Sequence, residues 1–232
     1  MNDFGLYFTT GLEHILTWEA LDHILFVTAL CLRYQFKDYK KILILITAFT
    51  IGHCTTLVLS TFNIVNVKSG ITEFFIALTI LFTALSNVFV KDVSRQRKIS
   101  FIYFMALLFG MVHGLGFAYG LKSILGKNEN VFVPLLAFNC GIETAQVLVA
   151  LVVLFVSYIF VRFLKVPFRT WLLFISGIIF GLALQMVIER NPFKEKKNDE
   201  AFNSVFINDS EHFSYRSVAV LQQSSKQSWQ QV

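Results

Sequence analysis

Six long apolar runs dominate the chain. They fall near residues 12–32, 42–62, 71–90, 99–121, 132–161 and 168–189. Short polar breaks separate them: RYQFKDYKK, NVKSG, KDVSRQRK, KSILGKNEN and RFLKVPFR. Each run reaches the ~20 residues that a helix needs to cross a ~30 Å hydrocarbon core. Lipid offers the backbone no hydrogen-bond partners, so runs of this kind are predicted to be helices. The pattern predicts an all-α polytopic membrane protein, with a bundle of six transmembrane helices over residues 1–190. The fifth run exceeds a perpendicular crossing, so it is expected to tilt or to begin outside the core. From residue 191 the pattern changes. NPFKEKKNDE reads as a charged linker, and LQQSSKQSWQQV is rich in Ser and Gln. Residues 191–232 therefore read as a polar, flexible C-terminal tail. Alternation in SVFIND and HFSYRSVAVL would suit a short hairpin, which is marginal in water by itself. His212 within it reads as a solvated surface residue.

Composition agrees with the pattern. Of 232 residues, 55% are hydrophobic and only 15% charged, against roughly 25% charged in a soluble domain. Mean hydropathy is +0.62. A water-soluble globule, a disordered chain and a disulfide scaffold are all excluded on these grounds. The net charge of +5 does not point to nucleic acid, because the basic residues cluster between apolar runs. Cys31, Cys54 and Cys140 all lie inside those runs and show no pairing pattern. They are expected to act as small buried hydrophobes. The first residues show neither a basic segment nor a small-residue cleavage site of the secretory kind.

Basic residues suggest an orientation. The breaks after the first, third and fifth runs carry Arg33, Lys37, Lys40, Lys41, Lys91, Arg95, Arg97, Lys98, Arg162, Lys165 and Arg169. The opposite breaks carry only Lys68, Lys122 and Lys127. By the positive-inside rule both termini lie outside. Arg190, Lys194, Lys196 and Lys197 run against that assignment.

Ionisable groups inside spans are costly and mark functional sites by default. Four of the five histidines fall there: His14, His23, His53 and His113. At ~1.5 Å per helical residue, Asp22 and His23 lie ~15 Å from the outer end of the first span. His53 lies ~18 Å from the inner end of the second span. His113 and Glu143 lie ~13 and ~18 Å from the outer ends of the fourth and fifth. Four helices thus bring imidazole or carboxylate groups towards one depth. Such a set suits a divalent first-row metal, Ni, Co or Zn, rather than Ca or Mg. A lone membrane histidine would more simply be an interhelical hydrogen-bonding group. Asp22 beside His23 could orient that ring, and Glu19, one turn earlier, could serve likewise. Asn139, Glu143 and Gln146 share one helical face, which should turn inward. Glu13, His14 and Glu73 are shallower; they are either interfacial or form an outer mouth. The glycines 110, 114, 116 and 120 around His113 allow two readings. One is close helix packing, and the other is local unwinding at a cavity.

The strings EHILTWEALDHILFVTAL, FTIGHCTTL, GMVHGLGFA and FNCGIETAQ, taken together over residues 11–150, resemble the HupE/UreJ family. These are membrane proteins associated with hydrogenases and ureases, usually assigned as nickel/cobalt permeases. The resemblance implies a metal set drawn from His14, Asp22, His23, His53, His113 and Glu143, with Gln146 alongside Glu143. Members often carry a Gly/Pro-containing stretch between the first His and the Asp-His pair; here it is ILTWEAL.

Two functions follow. A secondary permease for nickel or cobalt would bind its cation at the midplane and release it inward by a rocking motion. No GxxxxGK[ST] loop is present, so any ATPase would be an accessory subunit. The alternative is an intramembrane zinc-dependent hydrolase, acting on a lipid or membrane peptide, with Glu143 as general base. The expected surroundings are a bacterial inner membrane and its lipid bilayer, with a homo-oligomer possible in principle and no nucleic acid partner.

Overall fold

The computed structural model describes residues 3–89, 99–125 and 131–193. The described residues fall into two units, 1–190 and the segment from 191 onward. In the second, the backbone N–H of Phe193 donates to Asn191 Oδ1 at 3.0 Å. The tail expected beyond residue 193, with its hairpin and His212, lies outside the described residues.

The described residues form seven α-helices and no strand: α1 Asp3–Leu16, α2 Leu21–Cys31, α3 Tyr39–Thr61, α4 Ser69–Val88, α5 Ile99–Leu125, α6 Phe132–Tyr158 and α7 Phe168–Glu189. The all-α reading holds. The six-span reading is not confirmed. Among the described residues four segments are long and apolar enough to cross a membrane: Phe36–Thr61, Ser69–Val88, Phe132–Phe163 and Phe168–Glu189. A fifth crossing is reached only if α1 and α2 together make one span.

The first run, 12–32, is not continuous. Thr17 takes an extended backbone (φ −85°, ψ 155°), and a 3₁₀ turn covers Trp18–Ala20. The axes of α1 and α2 consequently bend by 73°. Thr favours such extended, helix-entry geometry, and Asp22 in the first turn of α2 suits the positive end of its dipole. In the fourth run the described residues include an apolar stretch, Ile102–Phe117, within the longer helix Ile99–Leu125. The fifth run is long, as expected: α6 continues into a π-helical turn at Ile159–Phe163.

Three helix pairs carry the bundle: α3 with α5, α1 with α6, and α4 with α7. Glycine makes the first two possible. A Cβ on Gly52 or Gly110 would meet the backbone of Leu107 or Phe49, and one on Gly11 or Gly141 would meet Phe138 or Phe8. The α5 helix is unbroken and its glycines at 110, 114 and 116 lie close against other helices; the chain unwinds instead between α1 and α2. The third pair is joined through Asn87, whose Nδ2 donates to Ala29 O at 2.9 Å and Ser176 Oγ at 3.0 Å. Arg33 donates to Asn87 and Ser86. The C-terminal end of α2 is thereby fastened to α4 and α7.

Two apolar cores fill the bundle. One gathers Ile15, Leu57, Phe138 and Ile142 among α1, α3 and α6. The other gathers Phe26, Phe49, Ile80, Leu172 and Ile179 among α2, α3, α4 and α7. Large apolar side chains remain exposed on the outer faces, including Val152, Phe155 and Phe174. Contiguous exposure of this kind is unusual in water and natural against lipid. Of the cysteines, Cys31 is buried and Cys54 half-buried, but Cys140 is exposed. The expectation that all three are buried hydrophobes is corrected at Cys140, which leaves the packed side of α6.

Candidate metal centre

Four helices deliver four imidazoles to one place. His14 comes from α1, His23 from α2, His53 from α3 and His113 from α5. The His23 ring centre lies 5.0 Å from that of His14, 5.0 Å from His113 and 5.9 Å from His53. His14 and His53 are 6.3 Å apart. His53 and His113 are completely buried and His23 is 4% exposed. His14, expected nearer the boundary, is thus part of the same group.

Hydrogen bonds decide which nitrogen two of the rings present. Nδ1 of His113 lies 2.8 Å from Phe109 O. A carbonyl only accepts, so Nδ1 carries the proton and Nε2 keeps its lone pair. His23 Nδ1 lies 3.0 Å from Asp22 Oδ1, and the carboxylate imposes the same tautomer. The Nε2 atoms of His14, His23 and His113, and both nitrogens of His53, are buried without a hydrogen-bond partner. Unpaired buried polar atoms cost free energy, and since one nitrogen of a neutral His53 carries a proton, the four rings offer up to four bare lone pairs.

The spacing suits a shared ion. Two imidazoles on one tetrahedral ion, at ~2.0–2.1 Å per metal–nitrogen bond, have ring centres roughly 5 Å apart. Among the described residues, however, no three His, Cys, Asp or Glu groups already stand in a geometry that could hold an ion. A shared ion would require the rings to close inward. Phenylalanines case them: Phe117 lies 3.9 Å from His14 between ring centres, Phe138 5.8 Å from it, and Phe26 and Phe49 each 5.1 Å from His113.

The remaining candidates sit apart. Glu143 accepts a 2.6 Å hydrogen bond from Thr47 Oγ1, not from an imidazole. Gln146 accepts from Thr50 Oγ1 at 3.2 Å, and its Nε2 is buried and unpartnered. Asn139 donates to Leu135 O at 2.7 Å. The shared face of Asn139, Glu143 and Gln146 does turn towards the bundle at Asn139 and Gln146, which are buried. Glu73 accepts from Ser69 Oγ at 2.8 Å on the exposed side of α4, and Glu13 is exposed. The side chain of Glu19 lies outside the described ones.

A family model described as HupE / UreJ protein matches residues 1–190. The chain belongs to the HupE/UreJ family. No curated protein and no solved structure matches it. The family match covers all seven helices of this HupE/UreJ protein and stops where the charged tail begins. It supports an integral membrane protein with a metal-related transport association.

Sequence reasoning missed three parts of this centre in the HupE/UreJ protein. The phenylalanine casing carried a signal, since Phe49 stands four residues before His53 and Phe117 four residues after His113. The Thr47 and Thr50 partners of α6 are ordinary helix residues and carried none. The third part is an ion pair, Arg190 Nη1 to Asp22 Oδ2 at 3.5 Å, between groups 168 positions apart.

Proposed function

We propose that the protein is a permease for a divalent transition metal of the nickel/cobalt kind. The observation that carries the reading is the pair of rings, His23 and His113, whose tautomers are set so that buried Nε2 atoms are left bare. Neutral imidazole nitrogen suits nickel, cobalt and zinc, whereas calcium and magnesium prefer oxygen. In this reading His14, His23, His53 and His113 supply the donors, and Asp22 orients His23. The rings come from two tightly packed pairs, α1–α6 and α3–α5, and from α2. Small rocking of one pair against another would tighten or spread the donors, as alternating access requires. The hydrolase alternative needs Glu143 beside the ion, and its bond to Thr47 argues for the permease.

Purified protein in sealed vesicles should carry Ni²⁺ or Co²⁺ down a concentration gradient, and His113→Ala should stop it. Absence of flux in both directions, from protein that still retains a bound ion, would favour the hydrolase. We also place both termini outside, on the strength of the basic breaks. A cysteine probe at Lys68 should then react with an impermeant reagent from outside, and one at Lys37 should not. The reverse labelling pattern overturns that orientation.

A further inference from the structure

Asp22 divides its two oxygens between two tasks. Oδ1 accepts from the His23 backbone N–H at 2.8 Å and from His23 Nδ1 at 3.0 Å. Oδ2 faces Arg190 Nη1 at 3.5 Å. That separation exceeds a good N–H···O hydrogen bond, and Nη1 makes no hydrogen bond at all. The contact is therefore a non-directional electrostatic attraction rather than a hydrogen-bonded pair. Exposure grades across it: the Asp22 side chain is 12% exposed and that of Arg190 28%. The guanidinium is the outward member, and the carboxylate faces the rings.

We propose that Arg190 is the standing counter-ion of Asp22 and a positioning residue that closes the histidine cluster, yielding Asp22 Oδ2 when a divalent transition-metal cation enters. The inference rests on the permease reading given above. A carboxylate beside four buried rings needs a compensating charge. With the site empty, Arg190 supplies it. An entering cation competes with Arg190 for the charge of that one carboxylate. Arg190 thus weakens the loaded state and favours exchange over retention. It also keeps the emptied cluster shut, because Asp22 stays anchored while the rings are bare. Its position one residue beyond α7 explains why a cation there runs against the basic-residue pattern: its charge is taken up by Asp22.

The test uses the full chain in detergent, with Ni²⁺ as the probe, and has two arms. In the first, Arg190→Gln should bind Ni²⁺ about tenfold more tightly than the wild type, the scale of a partly exposed charge removed. Arg190→Lys should stay close to wild type. In an Asp22→Asn background, Arg190→Gln should change nothing further, because the coupling runs through that carboxylate. The second arm needs no metal: carbethoxylation of the cluster histidines, mapped by mass spectrometry. Arg190→Gln should raise the rate at His14 and His23 severalfold, and Arg190→Lys should restore protection. Unchanged or weaker Ni²⁺ binding by Arg190→Gln overturns the proposal, as does an equal effect with Asp22→Asn present. If the wild type binds no Ni²⁺, the permease reading fails, and histidine modification alone decides whether Arg190 closes the cluster.

Discussion

Alanine at Gly52 or Gly110 should cripple the fold, although the change adds one methyl group. At both positions the new Cβ would run into backbone, Leu107 O for Gly52 and Phe49 O for Gly110. A flexible side chain could turn aside; a helix backbone cannot without parting the pair. Overpacking in an ordinary core costs about 1–3 kcal/mol, and two apposed backbones have less room to relax than that. The control is Gly177→Ala on α7, where a Cβ meets nothing within 4 Å. There the helix gains up to ~1 kcal/mol of intrinsic propensity. Thermal unfolding in detergent should show a large loss for the first two variants and none for the third. Equal tolerance at all three would mean that α3 and α5 do not pack backbone to backbone.

The second large effect concerns His23 and His113. Either one replaced by alanine should lower metal affinity by more than the 10–100-fold that loss of an outer-shell partner typically costs. Both rings offer a bare Nε2 held in place from behind, by Asp22 and by Phe109 O. Helix content should be unchanged, because neither Nε2 holds any other group. Asp22→Asn should fall within the outer-shell range, since an amide can still meet Nδ1. Glu143→Gln should have little effect, because the contact of Glu143 is with Thr47. Metal content of the purified protein distinguishes these cases. A Glu143→Gln variant as depleted as His23→Ala would move the centre towards α6.

Much of this was legible along the chain. Apolar runs of membrane length gave helices at α3, α4, α6 and α7 with bounds close to those observed. The depth argument for His23, His53 and His113 anticipated a gathering of those rings, because helical rise is regular. Depth along a helix is not direction around it, however. Glu143 lies at a suitable height yet bonds to Thr47, and Gln146 bonds to Thr50. The break at Thr17–Ala20 was not legible, since ILTWEAL holds neither Gly nor Pro and passes as a helix by composition. That break turns α1 across α6 and carries His14 to within 5.0 Å of His23 between ring centres. Arg190 was legible only as an anomaly of charge. Its partner is set by tertiary packing, which no local pattern reveals.

The central claim is that a transition-metal cation is held by imidazole nitrogens from four helices. X-ray absorption on Ni²⁺-loaded protein reads that ligand shell directly. The account predicts at least three imidazole nitrogens on the ion, with the characteristic outer-ring scattering of histidine lost in part in His23→Ala. A shell of oxygens only, or a wild-type protein that retains no nickel, cobalt or zinc, would contradict it.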